Sequence, residues 1–157
     1  MIDPIHKISY VAMPAEYISS FTAALIKHHS TQLRLAMNCS EEMAQLITMQ
    51  QIQELQKKKH EPSHQYLVAA QWQRDIIGGA WYYAPPKQVA ILQWLMIEPA
   101  FQGQGHGKRL LAHVIAQSCS AESVGLALHV FIANHKSVSL YEGMGFSDVG
   151  KEMYLTW

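Results

Sequence analysis

The sequence is poor in several features that mark common protein classes. It has only two cysteines, Cys39 and Cys119, which are far apart and show no metal-ligand spacing. Charged residues make up 15% of the chain, which argues against long disordered segments. No stretch reaches the roughly 18 apolar residues of a membrane helix, and the first residues lack the basic-then-apolar pattern of a signal peptide. We therefore expect a soluble, cytoplasmic protein with reduced cysteines, no membrane association and no metal site.

An excess of charge of either sign is also missing. Twelve basic residues balance twelve acidic ones, so the basic footprint of a nucleic-acid-binding protein is absent and no nucleic-acid partner is expected. The 157 residues, 49% of them apolar, are enough for one compact domain with a substantial core. The sequence leaves the oligomeric state open, a homodimer included.

Hydrophobic periodicity and helix-terminus signals predict an alternation of strands and helices. Ser40 suits the N-cap of a second helix that ends in Lys57–Lys59, and Gly145 suits a C-cap followed by the apolar Phe146. The apolar runs Val89–Ile97 and Val124–Ile132 are typical of strands buried on both faces. In chain order we predict a strand over 6–12, a helix over 15–29, a helix over 40–59, strands over 65–71, 76–83 and 89–97, a helix over 108–118, a strand over 124–132, a helix over 134–144 and a closing strand over Val149–Thr156.

Three closely spaced glycines stand between the run that ends at Ile97 and the amphipathic run that begins at Lys108. Gly103, Gly105 and Gly107 predict a tight loop between a strand and a helix. Such a loop directs backbone N–H groups and a helix N-terminus at one point, which suits a phosphate-bearing ligand. The spacing GxGxG differs from the dinucleotide fingerprint GxGxxG, and Lys108 is not followed by the Ser or Thr of a P-loop. An ordinary strand–helix turn is the alternative.

Two segments together resemble the GNAT family of N-acetyltransferases. Pro99–Leu111 is similar to the family's motif A, with Gln102, Gly105 and Gly107 at the positions of Q/R-x-x-G-x-G/A. Asn134–Phe146 is similar to N-x-x-A-x-x-L-Y-x-x-x-G-F, with Ser137 in place of the usual alanine. The two motifs occur in the family's order and separation, and the matching core covers about residues 65–155.

The resemblance implies the acyl-CoA N-acyltransferase fold, an α/β fold with a mixed, mostly antiparallel sheet flanked by helices. Its order would be β-α-α-β-β-β-α-β-α-β in a single acetyltransferase domain, 1–157, with acceptor-side helices over 15–60. The implied co-substrate is acetyl-CoA. Its pyrophosphate would bind to the backbone amides of the glycine loop. Its pantetheine arm would pair like an added strand where the strands over 89–97 and 124–132 splay apart. The implied cofactor-binding residues are Leu95, Met96, Ile97, Gln102, Gly103, Gln104, Gly105, His106, Gly107, Lys108 and Asn134.

Acetyl transfer to an amine also needs groups that move protons and stabilise charge. The resemblance assigns Tyr141 the role of general acid toward the leaving thiolate; the alternative is a tyrosine packed on its helix. A backbone N–H near Leu95 is implied as the oxyanion donor. His129 stands where the ribosomal-protein alanine acetyltransferase branch has a glutamate base in L-E-V-x-x-x-N, and imidazole titrates near neutral pH. The alternatives are a half-buried structural His129 and Glu98 as base, although Glu98 is expected to be exposed.

These residues predict an N-acetyltransferase in which a primary amine attacks acetyl-CoA directly. The acceptor is left open between a small-molecule amine and a protein amine, because residues 15–60 match no acceptor class. The alternative function is a non-catalytic acyl-CoA-binding regulatory module on the same fold, since a fold does not compel catalysis.

Overall fold

The computed structural model describes residues 7–57 and 62–155. Short 3₁₀ turns lie at Pro62–His64 and Pro99–Phe101. The strands and helices in chain order are β1 (Ile8–Ala12), α1 (Ala15–Met37), α2 (Glu41–Lys57), β2 (Gln65–Trp72), β3 (Asp75–Tyr83), β4 (Val89–Ile97), α3 (His106–Ser120), β5 (Gly125–Leu128) and α4 (His135–Gly143).

The strands form one sheet in the order β1-β2-β3-β4-β5. Neighbours from β1 to β4 are antiparallel, whereas β5 runs parallel to β4 and pairs with it from Val89 to Leu92. Helix α3 makes the crossover between these two parallel strands and packs on the sheet. The predicted class, a mixed and mostly antiparallel sheet flanked by helices, is confirmed.

The chain divides into two compact units. The first contains residues 7–21 and 62–129, which are the sheet, the first turns of α1 and helix α3. Its fully buried large side chains are those of Phe21, Ile77, Tyr82, Leu110, Leu111 and Val114. The second contains residues 22–57 and 130–155, with the rest of α1, α2 and α4; its buried side chains include Leu25, Leu33, Ala44, Thr48 and Ile52.

Helix boundaries follow the local signals where those signals are strong. The hydroxyl of Ser40 accepts a hydrogen bond from the Met43 N–H at 3.2 Å, so the predicted N-cap of α2 is confirmed. Helix α1 runs past its predicted end at residue 29, because Leu33 continues the buried face and Asn38 is the first residue to adopt a left-handed φ, +51°. Helix α2 reaches Lys57, and the rest of its predicted basic end lies outside the described residues.

The apolar runs are less buried than their composition suggested. The prediction of a buried strand over 124–132 is wrong: β5 spans four residues, and Val124 and Ile132 are 69% and 84% exposed. The bounds of β4 match the prediction, but burial on both faces does not, because Val89 and Ile91 are exposed. An apolar run reports the type of side chain and not whether another element covers each face.

The prediction of a closing strand over Val149–Thr156 is also wrong for the residues that the structure describes, which end at Leu155. Residues 149–155 form no strand, and Val149, Met153 and Leu155 are largely exposed, so the segment lacks the burial that pairing in a sheet provides. Thr156, like His6 of the predicted first strand, lies outside the described residues. Within the described chain, no helix is both long and apolar enough to cross a bilayer.

Candidate functional site

The second half of β4 has one free edge. On one side, Leu95, Met96 and Ile97 pair with Ala80, Gly79 and Gly78 of β3. On the other side, pairing with β5 stops at Leu92 opposite Leu128, and no strand among the described residues continues it. Backbone N–H and C=O groups at such an edge can pair with an extended ligand, in the manner of an added strand.

A β-bulge lies where β4 loses its β5 partner. Trp81 pairs with Trp94 and Tyr82 with Leu92, so Gln93 is the extra residue. Bulges bend a strand and are common beside active sites. Both polar atoms of the Gln93 amide are buried, and neither has a hydrogen-bond partner in the described part of the chain. Sequence reasoning missed this residue, although a glutamine within the apolar run 89–97 was a usable signal.

The chain passes from β4 through the 3₁₀ turn at 99–101 into the glycine loop. The Gln102 side-chain amide donates to the Ile97 carbonyl at 2.8 Å and so ties the loop to the end of β4. Gly103 and Gly105 have φ values of +76° and +80°, which favour glycine, and Gly105 is the N-cap of α3. The predicted strand, tight loop and helix are therefore present.

The loop presents backbone donors to open space. Across the residues that the structure describes, the N–H groups of 103–108 donate no hydrogen bond to the chain itself. A Cβ at Gly103 would meet no atom within 4 Å, and one at Gly105 would meet only the Arg109 Nη1, at 4.0 Å. Free amides at a helix N-terminus, with room in front of them, suit the oxygens of a phosphate.

Glu98, immediately after β4, is less exposed than the sequence predicts. It is half-buried and accepts a hydrogen bond from the Tyr17 hydroxyl, with 2.5 Å between Oη and Oε1. Burial, the hydrogen bond to Glu98 and the charge of Glu98 raise the pKa of Tyr17 far above its ordinary range, so this phenol remains a donor. The pair joins the first turn of α1 to the end of β4. The two residues are 81 positions apart, and no local pattern links them.

His129 follows β5 directly, in the first unit, and its side chain is exposed. The side chain is thus more exposed than the half-buried structural alternative expected. Exposure leaves the imidazole accessible to a substrate or to water.

Helix α4, in the second unit, carries two of the predicted residues. Asn134 is its N-cap, and Oδ1 accepts a hydrogen bond from the Ser137 N–H at 3.3 Å. The Asn134 side chain thus has a structural role through Oδ1, and its Nδ2 group has two further N–H donors.

Tyr141 is held by the motif that ends α4. The Phe146 N–H donates to the Tyr141 carbonyl at 3.1 Å, the Gly145 N–H donates to the Glu142 carbonyl at 3.0 Å, and Gly145 has φ +96°. This is a Schellman motif, and the predicted glycine cap is confirmed. Its apolar contact is the edge-to-face packing of the Tyr141 and Phe146 rings, 5.8 Å apart. Burial raises the pKa of Tyr141, so the phenol is protonated at neutral pH.

Comparisons with known proteins agree with this geometry. The family model described as "Acetyltransferase (GNAT) family" matches residues 30–146. The solved structure of YycN from Bacillus subtilis, provisionally named an acetyltransferase, is 26% identical with a TM-score of 0.84, over 96% of this chain and 99% of that one.

Two further solved structures share the fold at lower identity. An aminoglycoside N-acetyltransferase, AAC(6')-Iy in complex with CoA, is 13% identical with a TM-score of 0.60, over 100% of this chain and 99% of that one. A ribosomal-protein-alanine N-acetyltransferase from Brucella melitensis is 11% identical with a TM-score of 0.57, over 97% and 99%. A search of curated protein sequences gives no match.

Proposed function

Because the chain belongs to the GNAT family of acetyltransferases, we propose that it transfers an acetyl group from acetyl-CoA to a primary amine. The observation that supports the proposal is that a free strand edge and the glycine loop follow each other along the chain. The unpaired edge of Leu95–Ile97 leads through the short 3₁₀ turn into a loop whose N–H groups, residues 103–108, donate no hydrogen bond within the described chain. A ligand with an extended amide-containing arm that ends in a pyrophosphate fits this arrangement, with the arm on the strand edge and the pyrophosphate on the loop amides.

The donor would be held mainly by the backbone. The main chain of Leu95, Met96 and Ile97 pairs with the amides of the pantetheine arm, and the loop N–H groups bind the pyrophosphate. The proposed residues of the loop are Gln102, Gly103, Gln104, Gly105, His106, Gly107 and Lys108. Asn134 adds a side-chain donor through Nδ2. The CoA complex of the aminoglycoside acetyltransferase supports acetyl-CoA as the donor for this fold.

In the proposed reaction, a neutral amine nitrogen forms a bond to the thioester carbonyl carbon and the carbon–sulfur bond then breaks. The backbone N–H near Leu95 donates to the oxygen that gains negative charge. Tyr141 gives its phenolic proton to the leaving thiolate. Its half-buried, protonated state supports that role, because an acid must hold its proton until the sulfur leaves.

His129 is the proposed base that takes the proton from the attacking amine, and Glu98 is its competitor. One Glu98 oxygen accepts the hydrogen bond of Tyr17, and the side chain of His129 is more exposed than that of Glu98. We expect His129→Gln to lower kcat about 10²-fold or more, with little change in the Kd for acetyl-CoA. Measurements of kcat and Kd for His129→Gln and Glu98→Gln, made side by side, test this assignment. If Glu98→Gln lowers kcat and His129→Gln does not, Glu98 is the base.

The rival function is a non-catalytic acyl-CoA-binding module. The protonated phenol of Tyr141 favours the enzyme, because a binding module has no use for a proton donor at that position. Release of free thiol from acetyl-CoA, followed over a panel of small amines, peptides with free N-termini and lysine peptides, separates the two. Amine-dependent thiol release is expected; tight binding of acetyl-CoA without release on any acceptor would favour the module.

A further inference from the structure

One face of the sheet carries aromatic and apolar side chains that are only partly covered. Strand pairing places residues of β2, β3 and β4 in rows across this face, because Leu67 pairs with Trp81 and Trp81 pairs with Trp94. Tyr83 and Ile91 form the next row. We call the surface formed by Leu67, Trp81, Tyr83, Val89, Ile91 and Trp94 the aromatic face. All six residues belong to the first unit.

The opposite face of the same strands is core, whereas the aromatic face is not. Ala80, Tyr82 and Leu92 point to that opposite face and are 0%, 1% and 4% exposed. On the aromatic face, Val89 and Ile91 are 49% and 37% exposed, and the three aromatic side chains are half-buried. Apolar side chains that stay accessible together mark a binding surface.

The bulge in β4 is what brings the two ends of this face together. Ile91 and Trp94 are three residues apart, so in a regular strand they would point to opposite faces. The extra residue, Gln93, puts them on the same face, where Ile91 lies beside Tyr83 and Trp94 lies beside Trp81. The Gln93 amide is buried without a hydrogen-bond partner in the described chain, which is unfavourable for stability. Bulges that re-aim a side chain are common next to functional sites.

The aromatic face ends where the proposed donor edge begins. Trp94 immediately precedes Leu95, the first residue of that edge, so a ligand on the face lies beside the proposed oxyanion donor. The neighbouring indole is held in place, because Trp81 Nε1 donates to Gln65 Oε1 at 2.9 Å. A side chain that is already fixed loses little freedom when a ligand packs on it.

The chemistry of the face favours an apolar ring over a cation. None of its six side chains is charged, and the neighbouring Gln65 is neutral. Adjacent strands lie about 4.8 Å apart, so three strands give a surface about 10 Å wide, on which an aromatic ring can stack. No carboxylate of the face stabilises the ammonium form of an amine, and attack on a thioester requires the neutral form.

We propose that the aromatic face binds the acceptor, and that the acceptor is an apolar primary amine that carries an aromatic ring. The ring lies on Trp81 and Trp94, and the amine nitrogen is directed toward Leu95. The inference rests on the proposed function, because it names the substrate class on the amine side of that reaction.

The first test measures binding of three amines by calorimetric titration of the intact chain, alone and with CoA, which cannot acetylate them. The amines are 2-phenylethylamine, putrescine, which has two amines and no ring, and a short peptide with one lysine. We expect 2-phenylethylamine to bind about tenfold or more tightly than the other two, because only its ring can stack on the face. The inference is overturned if 2-phenylethylamine fails to bind in both titrations, or if putrescine or the peptide binds as tightly.

Variants then locate the bound ring. Ile91→Lys puts a charge on the face at an exposed position, so the fold should be retained, and Val11→Lys makes a matched change on β1 at nearly the same exposure, 38% against 37%. Trp81→Leu removes an aromatic surface that Trp81→Phe keeps. We expect Ile91→Lys and Trp81→Leu to weaken binding of 2-phenylethylamine about tenfold or more, and Val11→Lys and Trp81→Phe to change it less than about threefold. Unchanged binding in a folded Ile91→Lys, with its thermal midpoint retained, would overturn the inference.

Turnover separates this inference from the proposed function. If both hold, Ile91→Lys raises the KM for 2-phenylethylamine about tenfold with little change in kcat. If the proposed function fails, no amine releases thiol from acetyl-CoA, while the titrations still report on the aromatic face. If only the inference fails, thiol is released with an amine whose KM is the same in Ile91→Lys and in the unmodified protein.

Discussion

Replacing Tyr141 with phenylalanine is expected to lower kcat about 10²–10⁴-fold, the usual contribution of a positioned acid, with little change in acetyl-CoA affinity. Phenylalanine keeps the ring that packs on Phe146 and the Schellman motif that ends α4, so the variant should fold normally. It lacks only the hydroxyl proton that the proposed mechanism transfers to the leaving thiolate. The measurements are kcat, the Kd for acetyl-CoA and the thermal midpoint of each protein.

The rate–pH profile of Tyr141→Phe is a second test of the acid role of Tyr141. An acid is active while protonated, so the rate falls as pH rises through the pKa of Tyr141. Burial raises that pKa above the ordinary value of about 10, so this loss should begin only at strongly alkaline pH. Tyr141→Phe should show no such alkaline limb.

Tyr154→Phe is the matched control, because it removes the hydroxyl of an exposed tyrosine that donates to Glu152. It should keep both the rate and the alkaline limb. Undiminished turnover in Tyr141→Phe would remove this residue from the mechanism.

The second large effect is expected at Gly78, where β3 passes close to the backbone of β4. A Cβ there would lie 2.3 Å from the Met96 carbonyl oxygen and 2.9 Å from the Ile97 Cα. Both are main-chain atoms of a paired strand, so relief requires one strand to move. We expect Gly78→Ala to lower the free energy of unfolding by ~3 kcal/mol, the upper end of the usual cost of overpacking. It should also weaken acetyl-CoA binding, because Met96 and Ile97 belong to the proposed donor edge.

Gly125→Ala is the control for that substitution. Gly125 also lies in a strand, but a Cβ there meets no atom within 4 Å and its φ is not left-handed. Its stability should be unchanged or slightly higher, because alanine restricts the unfolded chain. Urea unfolding curves of the two variants provide the comparison. Equal urea midpoints for the two variants would show that a methyl group at Gly78 does not lower the free energy of unfolding, and would contradict the prediction.

The parts of the fold that the sequence predicts are those set by local chemistry. Ser40 caps α2 with its own hydroxyl. Gly145 ends α4 because its φ of +96° suits glycine. Gly103 and Gly105 form the loop for the same reason. The resemblance to the family was carried by Gln102, Gly105 and Gly107 together with the segment Asn134–Phe146. Each signal acts over a few residues, so the sequence displays it directly.

The parts that could not be predicted depend on contacts between elements that are distant in the sequence. The bulge at Gln93 exists only relative to the register of β3. The Tyr17–Glu98 hydrogen bond joins elements that are distant in sequence. The short β5 is as apolar as a buried strand, yet its residues alternate between exposed and half-buried, because burial depends on neighbours that hydropathy does not report.

The acceptor is not indicated by either motif, since residues 15–60 match no acceptor class. In the proposed function, only the donor is bound by the backbone of the glycine loop and of the β4 edge. The matched structures illustrate the range, since one acts on aminoglycosides and another on a ribosomal-protein alanine.

The most direct test of acetyl transfer to an amine is a mass-spectrometric screen with isotope-labelled acetyl-CoA against cell metabolites and denatured cell protein. The proposed function predicts label on the nitrogen of at least one amine, formed by the unmodified protein and strongly reduced with Tyr141→Phe. Saturable binding of acetyl-CoA with no labelled product in either pool would contradict it.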